Sequence, residues 1–214
     1  MRKIKIIQVL PTISYGDAVS NDAINIDNFL RKSGYETKIY AENVDKRLKD
    51  KVFKISKLRK VNKNDILIYH KSTGTDLSFL LEKYKCKKVM RYHNITPGKY
   101  LEQYNRYLYN LVEYGRKGLE HAGRYFDYSL ADSNYNKNEL DELNYKNTMT
   151  LPILIPFKDY EKEPDKKVIK KYLDGKKNIL FVGRIAPNKA QEDVIKSFYY
   201  YKKYVNKDSR LILV

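Results

Sequence analysis

The sequence has 214 residues, of which 42% are hydrophobic, so it can bury the core of one large domain or of one domain and part of another. Its 43 Lys and Arg against 26 Asp and Glu give a net charge of +17, which favours anionic partners, although AT-rich coding produces a similar Lys, Asn, Ile and Tyr bias without selection for function. With one cysteine and three His, an internal disulfide and a Cys/His zinc cluster are excluded.

Strand and helix patterns alternate from the amino terminus. Buried strands are predicted over residues 4–9, 36–40, 65–69, 88–93 and 129–132. Helical apolar stripes lie between them, around residues 23–30, 77–81, 101–112 and 139–143, and we expect Ser20 or Asn21 to cap the first helix. Strands that alternate with helices predict a mostly parallel sheet, because parallel strands require crossover helices between them. The predicted fold is a doubly wound, Rossmann-like α/β domain. Its ligands are expected beyond the carboxyl ends of the strands.

The composition changes near residue 158. Residues 158–177 are charged and contain proline, which is typical of an interdomain linker. A strand, a helix and a strand then follow over residues 178–214, and a single βαβ unit cannot bury both faces of its own sheet. We therefore predict a first domain over 1–157 and a truncated second Rossmann-like domain over 178–214, whose exposed edge favours self-association. Alternatively, these last elements extend the first sheet.

The stretch FVGRIAPNKAQEDVIKSF carries the clearest chemistry. Gly183 permits a sharp turn at a strand end, and Arg184 can contact two phosphate oxygens at once. Lys189 lies at the start of the next helix, whose positive dipole end attracts an anion. Two cations beside a helix start suit a diphosphate, whereas a solvated Arg and Lys is the alternative interpretation.

Seven segments, in order, resemble a known family. They are LPTISYGDAVSNDAI, IYAE, LIYHKSTG, RYHNITPGKY, LADSNYNKNEL, LPILIP and FVGRIAPNKAQEDVIKSF. Together they resemble a glycosyltransferase of the GT-B fold, glycosyltransferase family 4. The resemblance implies an acceptor-binding amino-terminal domain and a donor-binding carboxyl-terminal domain. It also implies retaining transfer of a sugar from a nucleotide-sugar donor to a glycan or lipid-linked acceptor, and we expect the 214-residue chain alone to be inactive.

The resemblance also assigns the site residues. It implies that Gly183, Arg184 and Lys189 bind the donor diphosphate. No Asp-x-Asp motif is present, so neither a metal nor another cofactor is expected. After Lys189 this sequence has Ala190, where the family commonly has Gly.

Further predicted site residues follow strand ends in the first domain. His93 matches the cleft histidine of the family, for which a polar contact to sugar or acceptor is expected. Gly16 and Asp17 occupy the first strand–helix loop, where Asp17 either binds a hydroxyl or caps the local turn. Three weaker candidates lie at corresponding positions, with loop solvation as the alternative: His70, Ser133 and Asn134.

Other functions remain open at this point. The alternative to a transferase is that the chain is a non-catalytic glycan- or protein-binding module on the same scaffold. The hypothesis that the chain binds nucleic acid rests on its net charge alone. Because the sequence has no basic tail, no nucleic acid is expected as a partner. The opening apolar stretch is too short for a signal peptide and nothing approaches ~18 apolar residues, which predicts a cytoplasmic protein. Its basic surface would suit peripheral contact with anionic membrane lipid.

Overall fold

A computed structural model describes residues 4–214 of the chain. Residues 1–3, which belong to the predicted first domain, lie outside the described residues. The chain forms two compact units. The first contains the residues up to Gly98 together with Tyr107–Pro156, and the second contains Lys99–Arg106 together with Phe157–Val214.

The first unit is built on a seven-stranded sheet. Its strands are β1 (Lys5–Ile13), β2 (Glu36–Val44), β3 (Val52–Lys54), β4 (Ile66–Lys71), β5 (Lys87–Tyr92), β6 (Tyr128–Ala131) and β7 (Thr148–Thr150). All neighbouring strands are parallel, in the order β3-β2-β1-β4-β5-β6-β7. The order reverses between β1 and β4, which is the topological switch point of a doubly wound sheet. The predicted α/β fold class is confirmed.

Helices follow these strands along the chain. They are α1 (Ala18–Lys32), α2 (Leu77–Leu80), α3 (Arg106–Ala122) and α4 (Asn134–Glu142). The predicted cap of α1 was wrong: the helix begins earlier, and Asp17 caps it by accepting a hydrogen bond from the Ser20 amide at 3.0 Å. Ser20 lies inside the first turn, where its hydroxyl also donates to Asp17 at 2.8 Å. Asp17 therefore caps α1 one turn before Ser20, the residue predicted for that role.

Strand register decides which side chains share a face of the sheet. Gln8 pairs with Ile68, and His70 pairs with Arg91. Since successive side chains alternate between faces, Gln8, His70 and Arg91 lie on one face, and Lys71 lies on the other. α1 covers the first of these faces, because the Gln8 amide donates to the carbonyl of Ala23 at 3.1 Å. Apolar residues of β1, β2 and α1 form the adjoining core: Leu10, Ile13, Ala23, Ile39 and Ala41.

The second unit contains a smaller parallel sheet. Its elements are α5 (Lys166–Tyr172), β8 (Lys177–Phe181), α6 (Gln191–Tyr204) and β9 (Ser209–Leu213). β8 and β9 pair in parallel, and α6 connects them as the crossover helix. Across residues 4–214, no helix combines the length and the apolar character needed to cross a bilayer.

Candidate functional site

A group of buried polar side chains lies beside the switch point of the large sheet. We call it the polar cluster, and its members are Gln8, Asp22, His70, Arg91, His93 and Asp132. β1 supplies Gln8, β4 supplies His70, β5 supplies Arg91 and α1 supplies Asp22. His93 follows the end of β5, and Asp132 follows the end of β6. The structure thus brings the predicted residues His93 and His70 together at the edge where open α/β sheets bind ligands.

A buried ion pair anchors the polar cluster. Arg91 Nε donates to Asp22 Oδ2 at 2.8 Å, and both side chains are fully buried. The same two side chains hold the LPILIP segment: Arg91 Nη1 donates to the Leu151 carbonyl, and Asp22 Oδ1 accepts from the Leu154 amide at 2.8 Å. Buried charges are stable only when paired and hydrogen-bonded, so this arrangement fixes α1, β5 and LPILIP together.

The two histidines continue a chain of hydrogen bonds that begins at Gln8. His70 Nε2 lies 2.8 Å from Gln8 Oε1, and His70 Nδ1 lies 3.0 Å from His93 Nε2. The backbone supports this contact, because the His93 amide donates to the carbonyl of Lys71 at 2.9 Å. Asn94, the next residue, has φ +70, a left-handed conformation that Asn tolerates better than most residues. The chain therefore turns sharply just after His93.

Burial keeps both imidazoles neutral. Burial first and the Arg91 guanidinium second lower the pKa of His93 to about 4, against the opposing effects of Asp22 and Asp17. Burial, followed by the charges of His93 and Arg91, places the pKa of His70 well below its ordinary value. Burial has the opposite sign for an acid and raises the pKa of Asp132. At neutral pH His70 and His93 thus each carry a single ring proton.

Some polar atoms of the polar cluster lack a partner among the residues that the structure describes. His93 Nδ1 and Arg91 Nη2 are buried without a hydrogen bond. The nearest carboxylate to His93 Nδ1 is Asp132 Oδ2 at 3.8 Å, which is beyond hydrogen-bond distance. The other oxygen of Asp132 accepts from the side-chain amide of Asn136. An unpaired ring nitrogen and an unpaired guanidinium donor at a strand-end site are groups that a bound polar ligand can satisfy.

Three members of the polar cluster also have the chemistry of metal ligands. Ligand atoms of Asp22, His70 and His93 lie within 4.8 Å of one another. Each of these side chains already has hydrogen-bond partners, and the Arg91 cation lies against Asp22. A metal ion would displace the proton between the histidines and compete with the guanidinium for the carboxylate. The expectation that no metal takes part remains a prediction.

The remaining predicted residues of the first unit lie in loops and helix caps. Gly16 has φ +80, a conformation that favours glycine, and is exposed before the Asp17 cap. Ser133 caps α4 by accepting from the Asn136 amide at 3.2 Å. Asn134 accepts a hydrogen bond from the Thr150 hydroxyl at 2.7 Å. Each of these side chains has a local structural partner, so binding roles for Asp17, Ser133 and Asn134 stay predictions.

The predicted diphosphate site lies in the second unit, between β8 and α6. The Gly183 amide donates to the Val214 carbonyl at 2.8 Å, which places the turn beside the end of β9. Arg184 and Lys189 are exposed, and within residues 4–214 neither side chain has a hydrogen bond or an ion pair. The Arg184 carbonyl accepts from the Gln191 side chain at 2.6 Å, which ties this loop to the first turn of α6. Both cations are therefore available to an external anion.

Sequence reasoning missed four members of the polar cluster, namely Gln8, Asp22, Arg91 and Asp132. Gln8 interrupts the apolar run Ile6-Ile7-Gln8-Val9-Leu10, and Arg91 lies in an equally buried strand. A polar residue inside a buried strand requires a partner, and that signal was present in the sequence. Asp22 gave no comparable signal, because an Asp near the start of a helix is ordinarily solvated.

Comparisons with known proteins address the fold. No protein-family model matches the chain, and no curated protein matches it. Among solved structures, the chain is similar to an alpha-glucosyltransferase in complex with UDP-glucose and DNA containing an abasic site, at 16% identity and a TM-score of 0.62, over 100% of this chain and 57% of that chain.

Two further solved structures are similar over nearly the same range. One is WaaG, a glycosyltransferase involved in lipopolysaccharide biosynthesis, at 13% identity and a TM-score of 0.61, over 97% of this chain and 62% of that chain. The other is an alpha,alpha-trehalose-phosphate synthase (UDP-forming) from Burkholderia vietnamiensis, at 10% identity and a TM-score of 0.64, over 100% of this chain and 64% of that chain.

These likenesses define the class of fold. The chain has the Rossmann-like α/β fold of GT-B glycosyltransferases, and it spans 57–64% of the length of these three neighbours. At such identities the fold alone is established. Membership of glycosyltransferase family 4 stays a prediction, since no family model matches.

Proposed function

We propose that this chain contributes the acceptor-binding domain and the start of the donor-binding domain of a glycosyltransferase that uses a nucleotide sugar. The observation that carries the proposal is the likeness to sugar-transferring proteins over the whole chain, including structures bound to UDP or UDP-glucose. The acceptor is a glycan or a glycolipid, and transfer retains the anomeric configuration; both statements rest on the sequence resemblance.

The first unit supplies a polar contact for the sugar. His93 is neutral, and its Nδ1, beside the carboxyl edge of the sheet, has no hydrogen-bond partner among residues 4–214. A neutral imidazole can bind a hydroxyl group of the transferred sugar or of the acceptor without introducing a charge. The buried ion pair between Asp22 and Arg91 holds the strand end that precedes His93.

The second unit supplies positive charge for the leaving group. When a nucleoside diphosphate departs, negative charge grows on its phosphate oxygens, and fixed cations nearby stabilise the transition state. Arg184 and Lys189 have no internal carboxylate partners among the described residues, so pairing with phosphate breaks no existing ion pair. In this proposal the two side chains neutralise the diphosphate, and no metal or other cofactor is required.

The experiment is a titration of the chain with a panel of nucleotide sugars and nucleoside diphosphates, followed by calorimetry. We expect binding of at least one nucleotide sugar, and we expect Arg184→Met with Lys189→Met to weaken it by about 10–100-fold, as loss of charge-assisted hydrogen bonds does. The matched control is Lys202→Met with Lys203→Met, which removes two exposed cations from the last turn of α6. This control should bind as the unchanged chain does.

Each contrary result has a distinct meaning. If no nucleotide sugar binds, the transferase proposal fails and the non-catalytic binding module takes its place. If binding occurs and both double variants weaken it equally, the effect is general electrostatics and the assignment of Arg184 and Lys189 is wrong. Turnover by the 214-residue chain alone would contradict the expectation that it is inactive.

Nucleic acid is a second candidate acceptor. The net charge of +17 favours it, and one structural neighbour is an alpha-glucosyltransferase in complex with DNA. Phosphate contacts lose affinity steeply as salt rises. Affinity for duplex DNA that persists at physiological salt would support this acceptor over a glycan, and loss of binding at that salt would leave the glycan acceptor in place.

A further inference from the structure

We propose that Gln8 and His70 are positioning residues that hold His93 as the Nε2–H tautomer, so that its Nδ1 accepts a hydrogen bond from a ligand hydroxyl. The ligand part of this inference rests on the proposed function. The tautomer part rests only on the contacts within the first unit.

The backbone carbonyl of Ala23 decides which atom donates in each hydrogen bond from Gln8 to His93. The Ala23 carbonyl can only accept, so the group of Gln8 that lies 3.1 Å from it is the NH₂ group. The other side-chain atom of Gln8, Oε1, therefore faces His70 Nε2 at 2.8 Å. Since Oε1 can only accept, His70 Nε2 carries the ring proton.

The direction then passes to His93. A neutral His70 protonated at Nε2 has a bare Nδ1, which accepts from His93 Nε2 at 3.0 Å. The two ring planes are inclined by only 9°, so the N–H of one ring can lie in the plane of the lone pair of the other. His93 thus uses its single proton at Nε2, and its Nδ1 is left as a buried acceptor without a partner among residues 4–214.

The opposite direction carries a definite cost. A proton on His93 Nδ1 would bare Nε2 and require a proton on His70 Nδ1. His70 Nε2 would then face Gln8 unprotonated, so the Gln8 amide would have to turn its NH₂ towards His70. Its carbonyl oxygen would then oppose the Ala23 carbonyl, and two acceptors would be left facing each other in a buried site. Asp132 Oδ2, at 3.8 Å from His93 Nδ1, is too distant to repay this loss with a hydrogen bond.

This arrangement selects the chemistry of the ligand group. A hydroxyl can donate to His93 Nδ1, whereas a keto oxygen, an ether oxygen or an ionised phosphate oxygen cannot. A site that leaves a buried polar group unpaired discriminates strongly against an analogue lacking the matching group. The inferred ligand group at His93 is therefore a hydroxyl, which under the proposed function belongs to the transferred sugar or to the acceptor.

The experiment is NMR spectroscopy of the imidazole nitrogens in the ¹⁵N-labelled chain at neutral pH, without added ligand. The chain has three histidines, and a His121→Gln variant identifies the third set of signals. We expect both His70 and His93 to show a protonated Nε2 and a bare Nδ1. A protonated Nδ1 on either of these two rings overturns the inference, so the signals of His70 and His93 need not be told apart.

Two substitutions of Gln8 test its positioning role. Gln8→Met removes both hydrogen bonds at similar volume, and we expect the proton of His93 to move partly or fully to Nδ1, facing Asp132. Gln8→Glu keeps both contacts as the protonated acid, whose O–H donates to the Ala23 carbonyl and whose C=O accepts from His70 Nε2, and we expect it to retain the original tautomer of His93. Ser129→Ala is the matched control, because it removes a buried hydroxyl of the same sheet that lacks any hydrogen-bond partner in the described residues.

Three outcomes of the variants contradict the inference. His93 unchanged in a folded Gln8→Met chain would show that Gln8 does not set the tautomer. An equal change in Ser129→Ala would indicate a general structural effect. Nitrogen signals that shift with Zn²⁺ and return with a chelator would make Asp22, His70 and His93 a metal site instead. Because no nucleotide sugar is present in this experiment, its result stands or falls separately from the transferase proposal.

Discussion

Lys71 is the last residue of β4 and lies on the face of the sheet opposite to the polar cluster. Its ammonium group donates to the Ser78 hydroxyl at 2.7 Å and to the Thr73 carbonyl at 3.1 Å, and the residue is fully buried. No carboxylate pairs with it among the described residues. Burial without an opposite charge lowers the pKa of Lys71 from 10.5 to about 7. A neutral amine is therefore substantially populated in the folded state near neutral pH.

This shift predicts a pH-dependent stability. Between about pH 7 and 10.5 the unfolded chain keeps the Lys71 proton and the folded chain releases it, so the free energy of unfolding rises with pH. The contribution of this one group is at most about 1.4 kcal/mol per pH unit. We expect Lys71→Met to lose this rise, measured by urea unfolding between about pH 7 and 8.5, where Tyr side chains do not yet titrate.

The unchanged chain and Lys71→Met are compared by the slope of the free energy of unfolding against pH. The absolute free energies are not compared, because Lys71→Met also removes two hydrogen bonds. Lys63→Met, at an exposed position, serves as the control and should keep the slope of the unchanged chain. Parallel pH profiles for the unchanged chain and Lys71→Met would show that Lys71 stays charged when folded.

At the scale of elements, the start of α6 contains a strained residue. Ala190 precedes the helix with φ +49 and ψ 45, and it offers no side-chain hydrogen bond to the first turn. A left-handed conformation costs an L-residue with a Cβ about 1–2 kcal/mol, a cost that glycine does not pay sterically. Ala190 also occupies the position at which the family that the chain resembles commonly has Gly. The structure gives that departure a conformational cost.

We therefore expect Ala190→Gly to stabilise the chain. After allowance for the greater entropy of glycine in the unfolded state, the gain should be roughly 0.5–1 kcal/mol, measured by urea unfolding. The reciprocal control is Gly175→Ala, where φ is +82 and a loss of stability is expected. An Ala190→Gly chain that is less stable than the parent would mean that Ala190 does not adopt this conformation.

The order of elements was predictable, because long strands and helices have strong periodic patterns. β3 and β7 were not predicted; each has only three residues, which is too short for a pattern to stand out. The cap of α1 was misplaced for a different reason: several polar residues precede the helix, and only the tertiary structure shows which side chain reaches the free amides. The local sequence therefore predicted which helices and strands form better than it predicted the residues at which they begin and end.

The candidate site was predictable only where a strand end met a distinctive side chain. His93 and His70 follow that rule. Gln8 and Asp22 do not, because their roles depend on the packing of α1 against β1 and on contacts to residues more than sixty positions away, such as His70 and Arg91. Strand register and helix packing bring these groups together, and neither can be derived from one-dimensional spacing.

At the scale of the whole molecule, the excess of basic residues offers more than one place for an anion. A cavity of about 190 Å³ lies near the amino ends of β1 and β2 in the first unit. Its lining includes five cationic side chains: Lys5, Lys38, Lys57, Arg59 and Lys60. The proposed diphosphate site is in the other unit, at Arg184 and Lys189. Affinity for a nucleotide sugar alone therefore does not identify the site that binds it.

The most direct measurement is a crystal structure of the chain with the tightest-binding nucleotide sugar of the panel. The account predicts diphosphate oxygens within hydrogen-bond distance of Arg184 and Lys189, and a structure of that kind would establish the donor site. A diphosphate bound in the basic cavity at Lys5 and Arg59, with Arg184 and Lys189 left free, would contradict the central claim.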